Sequence, residues 1–449
     1  MPPFDLIIKN GTFLTMDAGN SIIEDGFIGI QGDTISTIDK NHITDYSADA
    51  EIDAKGKLVL PGLVNGHTHA AMTLFRGLAD DLPLMDWLNN YIFPVESNMD
   101  SEFVRTGTLL ACAEMIMSGT TTFCDMYLFE EEVARAAKVS GIRCLAGEVL
   151  YDFDSPNYGS VENGLKYTES LLAKWHNDPL VSIAVEPHAL FTCSPDLLKA
   201  ANDIALKHNA PLIIHLSETE AEIQQIQEAY GKRPVAHLQS LGLISPHLIA
   251  AHCVHLNEQE IELLADSSVK VVHNPESNMK LASGIAPIPE LLQKGVAVGL
   301  GTDGCASNNN LDLFTEMDTA AKLHKVHTGD TTVMDALTVL RMATIDGAKA
   351  LGMGDITGSL ETGKKADIIV IDTDKPHMTP MYNPFSHIVY SAAGSDVIHS
   401  VINGKLVMKD RNLITLDPGT IMADARERSE RILASLPPVN FQKQLNRSE

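Results

Sequence analysis

No two of the six cysteines (Cys112, Cys124, Cys144, Cys193, Cys253 and Cys305) form a Cys-x-x-Cys pair. Several lie inside apolar runs, which fits buried free thiols in a reducing cytosol better than a disulfide framework. No apolar run is long enough to span a membrane. The N-terminal segment has no basic stretch leading into a long apolar one, so no secretory leader is expected. There is no P-loop, and the H-x-E…P-C-x-x-C pattern of the cytidine deaminase fold is missing. Positive charge is scarce: 33 basic side chains face 59 acidic ones, for a formal net charge of −26. Such a surface repels nucleic acid and anionic lipid, and its plainest use is solubility.

What remains is a chain of 449 residues with 44% apolar side chains, enough for one large domain or two. Its ends share one texture. Asp5–Ile8 is followed by the turn pair Asn10-Gly11, Gly26–Ile30 leads through Gly32-Asp33 into the alternating Thr34–Ile38, and near the C-terminus Ala366–Asp372 reads as a strand. Ser400–Val407 reads as a hairpin around Asn403-Gly404. These patterns predict one small β-sandwich domain built from both ends, residues 1–57 and 360–449.

Between them, short apolar runs alternate with helical stretches. Eight runs stand out: Leu58–Val64, Thr120–Cys124, Ile142–Gly147, Val181–Val185, Pro211–His215, Leu248–His252, Val269–His273 and Val296–Gly301. Most lack polar alternation, as strands covered on both faces should. Eight βα units over residues 58–359 predict an α/β fold, a TIM (β/α)8 barrel.

Barrel active sites lie at the C-terminal strand ends. His67 and His69 follow the first run, His188 the fourth, His215 and Glu218 the fifth, His252 the sixth and Asp303 the eighth. In His67-Thr68-His69 a strand's alternation puts both imidazoles on one face. Three imidazoles and a carboxylate (His67, His69, His215 and Asp303) suit one divalent metal that activates water. Zn²⁺ is favoured, and the same donors accept Fe²⁺. Glu218 is placed to shuttle a proton, Asp303 to accept a hydrogen bond from the water, and His252 to hold hydroxide or a developing oxyanion. Strand four offers no lysine for a bridging carbamate, so a single metal is expected.

Each assignment has a plainer competitor. His188 serves equally well as a hydrogen-bonded core histidine, Asp303 as a helix cap and Glu218 as a solvated acid near a helix start. His208, His237, His247, His255, His324, His327 and His399 read as structural or exposed. Gly299-Leu300-Gly301-Thr302-Asp303-Gly304 matches a dinucleotide fingerprint, but at the eighth run and with an acid inside the loop, so it reads as strand end plus turn.

The segments Pro61–His69, His215-Leu216-Ser217-Glu218-Thr219, Ala251–Leu256, His273–Leu281 and Gly301-Thr302-Asp303-Gly304 resemble the amidohydrolase superfamily. Within it they are most similar to the 5-methylthioadenosine/S-adenosylhomocysteine deaminases, and the likeness covers nearly the whole chain. The resemblance implies a barrel plus a β-sandwich from both termini, with Zn²⁺ on His67, His69, His215 and Asp303. It implies that Glu218 protonates the adenine ring as hydroxide attacks, that His252 orients the hydroxide, and that ammonia leaves. It further implies that Glu96 binds the ribose hydroxyls and that His188 contacts the purine. Some members carry an Arg after strand three for the homocysteine carboxylate; this chain has none between Cys144 and Lys232. The expected partner is a small nucleoside, in the cytoplasm, with homo-oligomerisation left open. Rival readings are the same scaffold acting on guanine, cytosine, an oxidised purine or a triazine, and a non-catalytic nucleoside-binding protein.

Overall fold

A computed structural model describes residues 4–40, 46–78, 80–82 and 88–435. The outermost parts of the expected small domain, residues 1–3, 41–45 and 436–449, therefore lie outside the described residues. Five strands open the chain: β1 (Phe4–Leu14), β2 (Ile22–Gln31), β3 (Thr34–Asp39), β4 (Ala48–Asp53) and β5 (Lys57–Pro61). Nine follow: β6 (Leu63–Thr68), β7 (Thr120–Tyr127), β8 (Arg143–Leu150), β9 (Val181–Ile183), β10 (Glu186–Pro187), β11 (Leu212–Leu216), β12 (Leu248–His252), β13 (Lys270–His273) and β14 (Val298–Leu300). The last are β15 (Ile368–Asp372), β16 (Val397–Ile402), β17 (Lys405–Lys409) and β18 (Asn412–Leu413).

Both ends of the chain do build one sheet. Its order is β18-β17-β16-β15-β5-β1-β2-β3, with β4 on β1. Leu6, Ile8, Phe13, Ile30 and Val59 from the front of the chain pack with Ile368, Val370 and Val401 from the back in one buried cluster. Asn403 (φ +50) and Gly404 (φ +76) turn the β16–β17 hairpin, as their dipeptide predicts. Asn10-Gly11 does not turn the chain. β1 runs straight through it, and Asn10 (φ +66) marks a bulge where the β1–β2 register shifts.

The run Leu58–Val64 is likewise two strands, not one. Gly62 divides it: a Cβ there would meet the Thr121 side chain at 2.1 Å. β5 stays in the mixed sheet, antiparallel to β15, while β6 begins a parallel sheet. That sheet holds β6 to β10, and a second holds β11 to β14. Isolated parallel bridges, Val185 with Leu212 and Ala189 with His215, link the two. Across the other gap Asp303 N–H donates to the His67 carbonyl at 2.9 Å. Helices follow the strands, and one of them begins just past Glu218. Thr219 caps Glu220–Tyr230 by accepting from Glu222 N–H, and Gly231 (φ +67) ends it. All six cysteines are free and buried. Among the described residues no helix is long and apolar enough to cross a membrane.

One buried ion pair joins the mixed sheet to the parallel strands. Arg143, at the start of β8, donates to Asp367 at 2.9 and 3.2 Å, and both side chains are almost wholly buried. Asp367 also accepts from Asn403 N–H at 2.7 Å. Removing one partner leaves a buried charge alone, so Arg143→Ala is expected to cost about 3–5 kcal/mol in urea denaturation. The double variant Arg143→Ala/Asp367→Ala should lose less than the sum of the two single changes.

Candidate metal centre and active site

Parallel register brings the polar strand ends to one edge. Leu216 lies opposite His252, Ala251 opposite Val272, and Thr68 opposite Asp125. His67 and His69 do share a face, their ring centroids 4.9 Å apart. Nε2 of His67 and Nε2 of His215 face each other at 3.2 Å. Asp303 Oδ1 lies 3.1 Å from Nε2 of His69 and 3.7 Å from Nε2 of His67. The donors form two triads that share His67, one with His69 and Asp303 and one with His215 and His252. The four expected ligands are thus gathered, but as overlapping groups, and His252 joins them.

These donors suit a divalent cation. Nδ1 of His215 donates to the His188 carbonyl at 2.8 Å, and Nδ1 of His69 donates to the Met126 carbonyl. Each bond fixes the tautomer that leaves Nε2 free as a ligand. His67 is fully buried, and among the described residues its Nδ1 has no hydrogen-bond partner. Burial, and then neighbouring imidazoles, push His67 and His215 well below the ordinary histidine range, so both are neutral. Burial opposes ionisation of Asp303, but the hydrogen bond and charge of His69, with His252 and His67 behind, hold it well below the carboxylate range. His69 moves the other way: burial is outweighed by Asp303, and its pKa is drawn up to about 9. A divalent cation on the same atoms would do for Asp303 what that proton does.

A second layer of side chains holds these groups, and the sequence reading assigned it no role. Ser277 and Ser307 donate to Asp303 Oδ2 at 2.6 and 2.9 Å. His252 Nδ1 donates to Asn278 Oδ1 at 2.9 Å, leaving Nε2 4.0 Å from Glu218 Oε2. Glu222 accepts from the backbone N–H of Ser217 and Glu218. Tyr127 donates to Glu96 at 2.7 Å. Ser277 and Asn278 lie in the run His273–Leu281, which was singled out as a motif, so a signal was there. Tyr127, Glu222 and Ser307 carried none. Ser217 (φ +53), His252 (φ +70) and Asp303 (φ +61) all adopt left-handed backbone that side chains with a Cβ avoid, and such strain clusters at functional sites.

The centre opens into a cleft of about 860 Å³, counted to its open mouth. Glu96, His188, Glu218 and His252 line it with His69, His215 and Asp303. His188 is held by Thr192 Oγ1 at 2.9 Å, and burial followed by the charge of His69 lowers its pKa to about 4. Burial raises Glu218 and Glu96, the latter against the Tyr127 hydroxyl.

Known proteins are similar to this chain in sequence and fold. The amidohydrolase family pattern matches residues 58–407. A 5-methylthioadenosine/S-adenosylhomocysteine deaminase of Syntrophobacter fumaroxidans is 60% identical over 424 residues, 94% of this chain and 97% of that protein. A 5′-deoxyadenosine deaminase of Methanosarcina mazei is 48% identical, covering 96% and 99% of the two chains. The crystal structure of an adenosine deaminase from Xanthomonas campestris with bound zinc superposes with a TM-score of 0.95 at 39% identity, over 96% of this chain and all of that one.

A group of buried carboxyls lies on β7, β8 and β10 and at the start of the helix that follows β7. Asp125 accepts from Ala70 N–H at 2.5 Å, directly after the His67-Thr68-His69 turn, while Glu148 accepts from Glu130 N–H and from Asn157. Burial lifts Asp125 to about 6 and Glu148 to about 7, and puts Glu130 and Glu186 well above the carboxylate range. A carboxyl raised in the folded state adds stability at low pH and loses it as pH rises through its folded pKa. Glu148→Gln should therefore flatten the fall in stability between about pH 5 and pH 8, by about 1–3 kcal/mol. Urea midpoints at the two pH values read this out, and an unchanged slope counts against a protonated Glu148.

Proposed function

Because this chain belongs to the amidohydrolase family, we infer that its cleft removes the amino group of a 5′-substituted adenosine by hydrolysis. Water oxygen adds to C6 of the purine, the C6–N bond breaks, ammonia leaves, and an inosine-type product remains. One observation carries the reading: an acid held up by burial (Glu218), an imidazole of fixed tautomer (His252) and a buttressed carboxyl (Glu96) line one cleft with the metal donors.

We assign the parallel strands to a closed (β/α)8 barrel over residues 58–359, supported by the polar and backbone contacts across both gaps. Residues 1–57 and 360–449 form the accompanying β-sandwich in this reading. His67, His69, His215 and Asp303 would hold one divalent cation, with Zn²⁺ favoured by the nitrogen-rich donor set. Bound there, the cation supplies Lewis acidity that makes water nucleophilic near neutral pH.

The side chains then divide the work. Asp303, anionic, accepts a hydrogen bond from the attacking water. Nε2 of His252 orients that water from the other side, since Nδ1 is committed to Asn278. Glu218 takes the water's proton and delivers it to the purine ring nitrogen, a role its raised pKa favours. His188 contacts the purine. Glu96 accepts both vicinal ribose hydroxyls, held in place by Tyr127. The buried free thiols fit a reducing compartment, and we place the protein in the cytoplasm.

Ammonia release from 5′-methylthioadenosine and 5′-deoxyadenosine, with guanine and cytosine inert, is the expected outcome of a spectrophotometric screen. Glu218→Gln should lower kcat by about 10²- to 10⁴-fold while bound metal, measured by elemental analysis, stays stoichiometric. Glu96→Ala should raise KM for either nucleoside about tenfold or more. An unchanged KM refutes ribose recognition by Glu96.

A further inference from the structure

The cleft has two chemically different ends. Glu218, Asp303 and Glu96 line it together with His69 and His215, and Asp303 is only 5% exposed. The mouth is aromatic. Phe153 stacks on Tyr151 with centroids 3.8 Å apart and planes 11° from parallel. Phe93 meets Phe153 edge-on at 6.4 Å, and sits one turn before Glu96 on the same short helix. Leu88 and Leu281 continue this wall. Tyr151 is 8% exposed and Phe153 47%, so the stack passes from a buried residue to a half-exposed one.

No cation serves this end. Among the described residues that line the cleft there is no Lys or Arg. The sequence has none from Gly77 to Val104 or from Cys144 to Leu165, the two segments that supply Phe93, Tyr151 and Phe153. Lys280, next to the lining residue Leu281, is held by Asp80 at 2.6 Å and by the Ala306 carbonyl at 3.2 Å. With C6 at the metal donors and the ribose hydroxyls on Glu96, the 5′ substituent is the part of the nucleoside left at the aromatic mouth.

We propose that the Tyr151–Phe153 stack, with Phe93, is the specificity element of this site and selects small, uncharged, apolar 5′ substituents over the zwitterionic homocysteine tail. This rests on the adenosine deaminase reading above. A methylthio group gains apolar burial and sulfur–ring contacts on such a wall. A carboxylate and an ammonium brought to the same place lose water without finding partners. Where the site offers no matching group, discrimination of tenfold or more follows.

The test uses the metal-loaded enzyme with 5′-methylthioadenosine, 5′-deoxyadenosine and S-adenosylhomocysteine. We expect kcat/KM for S-adenosylhomocysteine to be at least about tenfold below the other two. Calorimetric titration with the products, 5′-methylthioinosine against S-inosylhomocysteine, should show the same order without needing turnover. Phe153→Arg should narrow the gap about tenfold by supplying a carboxylate partner. Phe153→Leu should weaken the methylthio compound about threefold and leave the homocysteine compound unchanged. Equal kcat/KM or equal product affinity in the unaltered enzyme, or a ratio that Phe153→Arg does not move, overturns the proposal. If no adenosine compound releases ammonia, the deaminase reading fails, and the product titration still decides the preference.

Discussion

Nε2 of His67 and Nε2 of His215 lie 3.2 Å apart in a buried interior, an approach that charge on both rings would forbid. The rest of the site depends on this constraint. Main-chain carbonyls of Met126 and His188 accept hydrogen bonds from Nδ1 of His69 and His215, so the Nε2 atoms point inward. Met126 lies on β7, beside β6, and His188 lies just past β10, next to the Ala189–His215 bridge. The strands therefore fix which nitrogen of each ring faces the site as well as its shape. A one-residue slip would turn the histidine side chains to the opposite face.

Holding this arrangement requires strained backbone. Ser217, His252 and Asp303 each adopt a left-handed conformation, at about 1–3 kcal/mol apiece. Main-chain bonds at the same points offset that cost: Cys253 N–H to Leu216, His255 N–H to Ser217, and Asp303 N–H to His67. Side chains complete the restraint, with Glu222 on the 217–218 backbone, Asn278 on His252, and the two serines on Asp303. None of these acts on substrate in our reading. They restrict the motion of the groups that do.

The donors were legible because metal binding needs particular elements at strand ends, and His67-Thr68-His69 shows both signals in three residues. The shared sheet of the two termini was legible as texture, since alternation and turn dipeptides are local. What failed was punctuation. Asn10-Gly11 has turn chemistry, yet β1 continues through it because β2 pairs on both sides of the bulge. Gly62 looks like any glycine in an apolar run, and only the approach of Thr121 reveals why the strand must break there. Tyr127 and Glu222 were invisible for a related reason. A tyrosine late in a strand or a glutamate early in a helix has no local mark, and its partner lies across the fold or is a backbone amide.

Opposite treatment of similar carboxyls ties the chemistry together. Asp303 faces imidazoles that drive it to the anion, and it accepts hydrogen bonds from two serine hydroxyls. Glu218, three strand ends away in the same cleft, is pushed toward the protonated form by burial, against the pull of His252 4.0 Å off. Groups of one kind set apart by their surroundings would let a single site hold a permanent acceptor and a proton carrier at once, as we propose. Neither carboxyl alone implies catalysis, since buried acids with raised pKa values also occur at Glu130 and Glu186. What separates the two cases is the cleft: Asp303 and Glu218 line it, and Glu130 and Glu186 are not among its lining residues.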